Sequence, residues 1–229
     1  VGISPPKARA YGRWLKTDTQ SGKNGKGDGR VIINDTHVTA FNWQTGETVT
    51  VGIAGDFTVQ DRREIARKIE ASKRKKQADA VHAAQVAAAI IAAAKPGLHP
   101  YLVAKGFRDE KALTIAKSDL TAIVGERNTY LIPDNADRAI VIPARIGAQI
   151  SSVQLIWEHG TKKFLFGGTM EGASHRIASG VDTWLCEGYA TGLSITTALH
   201  GLRMRATVLC CFNAGNIVAV AKQVSGRVF

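Results

Sequence analysis

The sequence predicts a mixed fold, α+β over most of its length and α/β at its end. Three observations carry that expectation. Residues 1–57 hold short alternating apolar and polar runs parted by Gly-rich turns, the pattern of a β-rich region. Residues 59–95 contain no glycine or proline and stop at Lys95-Pro96-Gly97, the pattern of one long helix. From Val181 onward strand and helix patterns alternate, which signals a parallel sheet. The expected organisation is a β-rich N-terminal region (1–57), a long basic and alanine-rich helix (58–95), a basic mixed α/β subdomain (96–179) and part of a parallel sheet (180–229).

In the first region Arg30–Ile33, His37–Trp43 and Thr48–Ile53 are strand-like, with Gln44–Glu47 as a hairpin turn. Thr17–Gly29 reads as a flexible, basic, glycine-rich loop. Trp14, Phe41 and Trp43 are expected as core anchors, because a small sheet needs large residues to close. Base-stacking platforms are the other reading.

The long helix would reach roughly 50 Å at about 1.5 Å per residue. Asp61 and Glu64 in its first turn suit the helix dipole. Its charged first half includes Lys73-Arg74-Lys75-Lys76, either a solvated face or a phosphate-contacting patch. The alanine-rich second half is expected to pack closely on a neighbouring element. Residues 96–136 read as a short helical, polar stretch closed by Pro133. Arg138–Ala144, Ile150–Trp157 and Lys163–Phe166 then form a second β group, with Glu158–Thr161 as a turn.

Composition bounds the function. The chain has 229 residues, 45% of them hydrophobic, enough for one large or two small domains. The longest apolar stretch, Val86–Ala94, is too short to span a membrane, and no secretory signal is visible, so a cytoplasmic protein is expected. Cys186, Cys210 and Cys211 lack C-x-x-C spacing and fall in apolar strands, as buried free thiols would. The six histidines show no ligand spacing, which argues against zinc. A net charge of +11 and a pI near 9.8 point to a polyanion partner, nucleic acid before membrane. No GK[ST] phosphate loop occurs, so no helicase activity is expected.

Glu187 follows the apolar run Val181–Cys186 and precedes Gly188 and a helix from Tyr189 to Leu199. A carboxylate at the carboxyl tip of a parallel strand lies where open α/β sheets place their chemistry. Its oxygens suit Mg²⁺ or Mn²⁺, metals that leave room for phosphates. The competing reading is a glutamate that only caps the next helix. Gly188 is expected to let the backbone turn sharply and to keep a side chain out of the phosphate path. Asn213 and Asn216 stand at a second helix start, where amides can bind phosphate; an ordinary turn N-capped by Asn216 is the favoured alternative.

Glu187-Gly-Tyr-Ala-Thr-Gly192 followed by Phe212-Asn-Ala-Gly-Asn216 resembles the Toprim domain of phage and plasmid DNA primases, relatives of the bacterial replicative primase. His99-Pro-Tyr-Leu-Val-Ala-Lys-Gly106, Arg138-Ala-Ile-Val-Ile-Pro143 and Lys162-Lys-Phe-Leu165 precede them in the order of the primase catalytic core. Phe41-Asn-Trp43 with Thr45-Gly46 resembles the region ahead of that core in plasmid-type primases. The resemblance implies a partial Toprim, Rossmann-like sheet and RNA primer synthesis from NTPs on single-stranded DNA. It also implies Mg²⁺ or Mn²⁺ as cofactor, a replicative helicase as partner, and Glu187 as catalytic and metal-binding residue. Arg138, Arg145, Lys162, Lys163 and Arg176 would then track the template or hold nucleotides.

One departure stands out. The family's Asp-x-Asp motif is missing, and residues 188–229 contain no Asp or Glu. The chain is therefore expected to be a piece of a longer protein, with the other metal ligands beyond Phe229 and any zinc module before Val1. Strong metal binding and full catalysis by the piece alone are not expected. Another Toprim enzyme, a nuclease or topoisomerase, and a non-catalytic nucleic-acid or replication-partner binding module are the alternatives.

Overall fold

A computed structural model describes residues 1–7, 10–20, 27–34, 37–52 and 59–229, apart from the side chains of residues 59–62, 64–66, 68 and 69. It divides into two compact units, Val1–Ala71 and Ser72–Phe229. The expected fold class holds in its coarse form: the chain is mixed α and β. The basic loop expected at 17–29 lies at 21–26 outside the described residues, and so do the side chains of Asp61 and Glu64.

The first unit is an antiparallel meander of β1 (Trp14–Thr17), β2 (Gly29–Ile33), β3 (His37–Asn42) and β4 (Thr48–Gly52), in that order. The turn between β3 and β4 is built by Asn42, whose side-chain oxygen accepts the amides of Gln44 and Thr45 at 2.9 and 3.3 Å. Gly46 closes it with φ +73, a left-handed conformation that glycine adopts without strain. One face of the sheet turns inward, with Val31, Asn42 and Thr17 buried. Trp14 and Trp43 are not core anchors: they are 52% and 62% exposed. Alternation puts Trp14 on the face opposite Thr17, which is why its bulk closes nothing.

Helix α1 (Val59–Ala93) runs through the unit boundary. Its second half presents Ala83, Val86, Ala87 and Ile90, all buried, at the i, i+3, i+4, i+7 spacing of one helical stripe. That stripe packs on Val141, Val153, Leu155 and Trp157 of a five-stranded antiparallel sheet. The sheet runs in order β5 (Lys95–Gly97), β6 (Ala112–Ala116), β7 (Arg138–Ile146), β8 (Gln149–Trp157) and β9 (Lys162–Phe164). Its other face carries Ile140, Ile142, Ala144 and Ile156. Both faces are covered, so β7 and β8 read as continuous apolar runs although they are antiparallel. The short helices α2 (Pro100–Ala104) and α3 (Lys117–Ile123) and a 3₁₀ turn (Glu126–Leu131) fill the connections. The stretch 96–136 is thus not simply helical: it contains β5 and β6.

A second sheet of three strands follows, in order β10 (His175–Ala178), β12 (Ala206–Cys210), β11 (Asp182–Cys186). β11 and β12 are parallel, joined by helix α4 (Tyr189–Gly201); β10 is antiparallel to β12. Within the stretch from Val181, where a parallel sheet is expected, β11 and β12 form one parallel pair; β10 precedes that stretch and makes the sheet mixed. Helix α4 shares the core between the two sheets, whereas α5 (Ala214–Ala221) packs with Leu209 and Cys211 on the outer face. The last residues lie beside β11, where Thr183 bonds Arg227 and Phe229 and the Phe229 ring stacks on Trp184 at 4.9 Å. Among the described residues no helix is long and apolar enough to cross a membrane.

Candidate functional site

The carboxyl ends of β11 and β12 lie side by side, Cys186 opposite Cys210. Each strand feeds a helix, and the two connecting corners differ. After β11, Glu187 is exposed, and its carboxylate makes no hydrogen bond or ion pair with the described residues. Its carbonyl is held from below by the Cys210 thiol at 3.6 Å. Gly188 is the N-cap of α4, and no side chain caps the helix there. The first-turn N–H groups of α4 thus keep their pull on an anion.

Gly188 corrects its own expectation. Its φ and ψ are −127° and 153°, extended backbone that any residue adopts, so no sharp turn requires glycine here. Space is what glycine supplies. A Cβ would sit 3.8 Å from both Lys162 Nζ and Thr191 Oγ1, in the gap those two groups face.

That gap belongs to a cleft of about 340 Å³ lined by Tyr101, Lys105, Phe107, Lys162, Gly188 and Thr191, with Ala190 and Ser194. Lys105, next to last in the His99–Gly106 motif, is not among the site residues expected from the sequence. The motif is a capped helix start. His99 Nδ1 accepts the Tyr101 amide at 3.3 Å, Pro100 occupies the first turn where no donor is needed, and His99 Nε2 bonds the Arg138 carbonyl at 3.1 Å. These bonds require neutral imidazole, and burial lowers its pKa accordingly. Helix α2 ends at Lys105, whose ammonium lies 5.8 Å from the Tyr101 ring centroid.

The other expected cations do not join this cleft. Lys162 and Lys163 are neighbours on β9 and so project to opposite faces of the sheet. Arg138 and Arg145 are seven residues apart on β7, about 23 Å at strand rise. Arg138 is exposed and its amide donates to the Glu158 carboxylate at 2.6 Å. The Arg145 guanidinium donates to the Ala148 carbonyl at 3.1 Å, across its own hairpin turn. Arg176 pairs with Leu209, whose face packs under α5 rather than α4. The five cations are therefore not one patch.

After β12 the chain makes a tight corner. The Asn213 amide bonds back to the Cys211 carbonyl at 2.9 Å, and Phe212 between them has φ 71. A buried aromatic in the left-handed region is strained backbone. It is held by an edge-to-face contact with Phe164, centroids 5.9 Å apart, and by the cap that follows. That cap is Asn213, whose side chain accepts the Asn216 amide at 2.9 Å; Asn216 is not the N-cap. The Asn216 side chain is buried and spent internally, accepting from Gly172 and donating to Ala173 and Cys211 at 2.6, 2.7 and 2.8 Å. It pins the loop before β10 and has no amide group left for a nucleotide.

Under the two corners lie buried titratable groups, among them Cys186, whose pKa the hydrogen bond with Cys210 lowers. All three cysteines are free and buried. Contact with Cys186 and burial raise the Cys210 pKa, and burial pushes Cys211 up to about 11. His175 on β10 packs edge-on against Tyr189, the first residue of α4, with centroids 5.8 Å apart. Burial drives His175 down to about 4 and Tyr189 up to about 12, the latter aided by the Glu110 carboxylate.

Among the described residues no three His, Cys, Asp or Glu side chains gather to hold a metal ion. Glu187 offers one carboxylate, which does not by itself make a resident Mg²⁺ or Mn²⁺ site. What the cleft offers is anion chemistry: two ammonium groups, uncapped helix N–H groups and a hydroxyl beside an exposed carboxylate. Compared with protein-family models, curated proteins and solved structures, the chain matches none of them.

Proposed function

We propose that this chain is part of the catalytic core of a Toprim-type DNA primase of the phage and plasmid kind, a nucleotidyltransferase that builds RNA primers on single-stranded DNA. The observation that carries the reading is Glu187, an exposed and unpartnered carboxylate at the tip of a parallel strand beside a lysine-lined cleft. The order of the short motifs supports it independently. In this proposal Lys105 and Lys162 neutralise the phosphates of an incoming ribonucleoside triphosphate, and the start of α4 orients one of them. Tyr101 and Phe107 wall the nucleotide from water. Glu187 stands where the primer hydroxyl would meet the triphosphate. Mg²⁺ or Mn²⁺ belongs to the proposal as cofactor, with Glu187 as one ligand.

The test supplies the full-length protein with single-stranded DNA, all four ribonucleoside triphosphates and Mg²⁺, and in parallel with labelled DNA alone. Template-dependent short RNA in the first reaction and intact DNA in the second is the expected result. Cleavage of the labelled DNA without added nucleotides would instead assign another Toprim activity. The lone carboxylate favours one further reading, a module that binds nucleic acid without catalysis. That reading predicts DNA binding with neither synthesis nor cleavage.

A further inference from the structure

The N-terminal sheet has an open face of unusual chemistry. Cross-strand register lines up Trp14, Ile32, Thr39 and Thr50 in one row and Lys16, Arg30, Phe41 and Thr48 in the next. Side chains paired across strands share a face, so both rows lie on the side away from the buried Val31 and Thr17. Trp43, just past β3, folds back onto it and meets Phe41 edge-to-face, centroids 4.8 Å apart. Trp14, Arg30, Thr39, Phe41, Trp43 and Thr48 line a hollow of about 420 Å³.

Two indoles left more than half exposed on one hollow call for a partner. The charges in these rows say which kind. Lys16 and Arg30 are basic, and neither row holds a carboxylate. The Arg30 guanidinium is held by the neutral carbonyls of Gly27 and Gly29, which fix it without cancelling its charge. A purely apolar protein partner would bury those two cations uncompensated, at a cost. An unstacked polynucleotide matches both features, with bases on the aromatic faces and phosphates on the cations.

We propose that this face binds single-stranded DNA, stacking bases on Trp14 and Trp43 while Lys16 and Arg30 contact the phosphates. It belongs to the first unit and the lysine cleft beside Glu187 to the second, and it stands whether or not that cleft makes primers. The threonine hydroxyls at positions 39 and 48 are placed along the same hollow to bond base edges or phosphate oxygens.

The test is titration of the intact chain with an oligodeoxythymidylate of about twenty nucleotides, read by tryptophan fluorescence and by anisotropy of the labelled strand. Stacking quenches exposed indoles, and Trp157 is fully buried, so it does not respond. Trp14→Ala and Trp43→Ala should each weaken binding about fivefold or more, the low end of base–aromatic stacking. Trp43→Phe should keep most of the affinity, and Lys105→Ala with Lys162→Ala should leave the quench in place. Lys16→Glu, a change at an exposed side chain, should weaken binding and flatten its salt dependence. Unchanged affinity in the tryptophan and Lys16 variants, with circular dichroism matching the parent, would overturn the proposal. So would binding of oligouridylate in preference to DNA.

Discussion

Lys162 and Lys163 differ by one position and by everything that matters to a bound anion. The first lines the cleft at the start of α4; the second projects to the other face of β9. Replacing Lys162 with alanine should weaken tripolyphosphate or nucleotide binding roughly tenfold, the scale of one charge-assisted hydrogen bond. Lys163→Ala should change it less than about twofold. Calorimetric titration of the two variants checks the pair. His175 gives a second residue-scale prediction. Its folded pKa of about 4 lies below the ordinary 6.5, so the unfolded chain binds the extra proton between those values. Stability is then full above about pH 6.5 and falls as the pH drops toward 4, below which this contribution changes no further. The loss is about 3 kcal/mol for a shift of that size, and buried His99 adds to it in the same direction. Urea melts at a series of pH values measure the slope, and His175→Gln should remove most of it. At this scale the sequence made the place of Glu187 at a strand tip legible, because an apolar run ending before Glu-Gly is a local pattern. Lys105 stayed hidden: its place depends on how a five-residue helix is capped by His99 and docked by Tyr101, neither of which spacing reveals.

The elements that sequence periodicity finds are the long ones. The stripe Ala83, Val86, Ala87, Ile90 and the nine-residue strands β7 and β8 all stand out from their patterns. The missed strands β1, β5, β6 and β10 have three to five residues, too few to show a period, and Lys95-Pro96-Gly97 has the composition of a helix stop. Pro96 fits because β5 is an edge strand. The antiparallel seat of β10 is also invisible locally, since it depends on pairing with β12, some thirty residues away in the chain. The corner from β10 to β11 turns on Gly180. A Cβ there would lie 2.4 Å from the Ala206 nitrogen and 2.5 Å from its Cα, and backbone cannot step aside as a side chain can. Thr207 clamps the same corner, accepting from the Gly180 amide at 3.0 Å and donating to its carbonyl at 2.9 Å. Gly180→Ala should therefore destabilise the chain by about 1–3 kcal/mol, the usual cost of overpacking. A thermal melt beside that of Gly201→Ala, where a Cβ meets nothing within 4 Å, checks it.

At the scale of the whole chain, the charge of +11 is the feature the sequence states most plainly and explains least. It draws any polyanion, and steeply weaker binding in salt follows from it under every functional reading. The fold adds two separate places where that attraction acquires geometry, one in each unit. In the first it is an aromatic face with two cations; in the second, a lysine cleft at the end of a parallel strand pair. The aromatic face could not be read from composition, since strand register decides that Trp14 stands open, and the fold-back of Trp43 onto Phe41 places the second indole beside it. The primase account depends on the second place, and within it on one carboxylate. The most direct measurement compares primer synthesis on single-stranded DNA by the full-length protein with that of its Glu187→Gln variant, alongside DNA affinity for both. The account predicts that synthesis falls below detection while affinity changes less than about twofold. Primer synthesis by the variant at the parent's rate would contradict it.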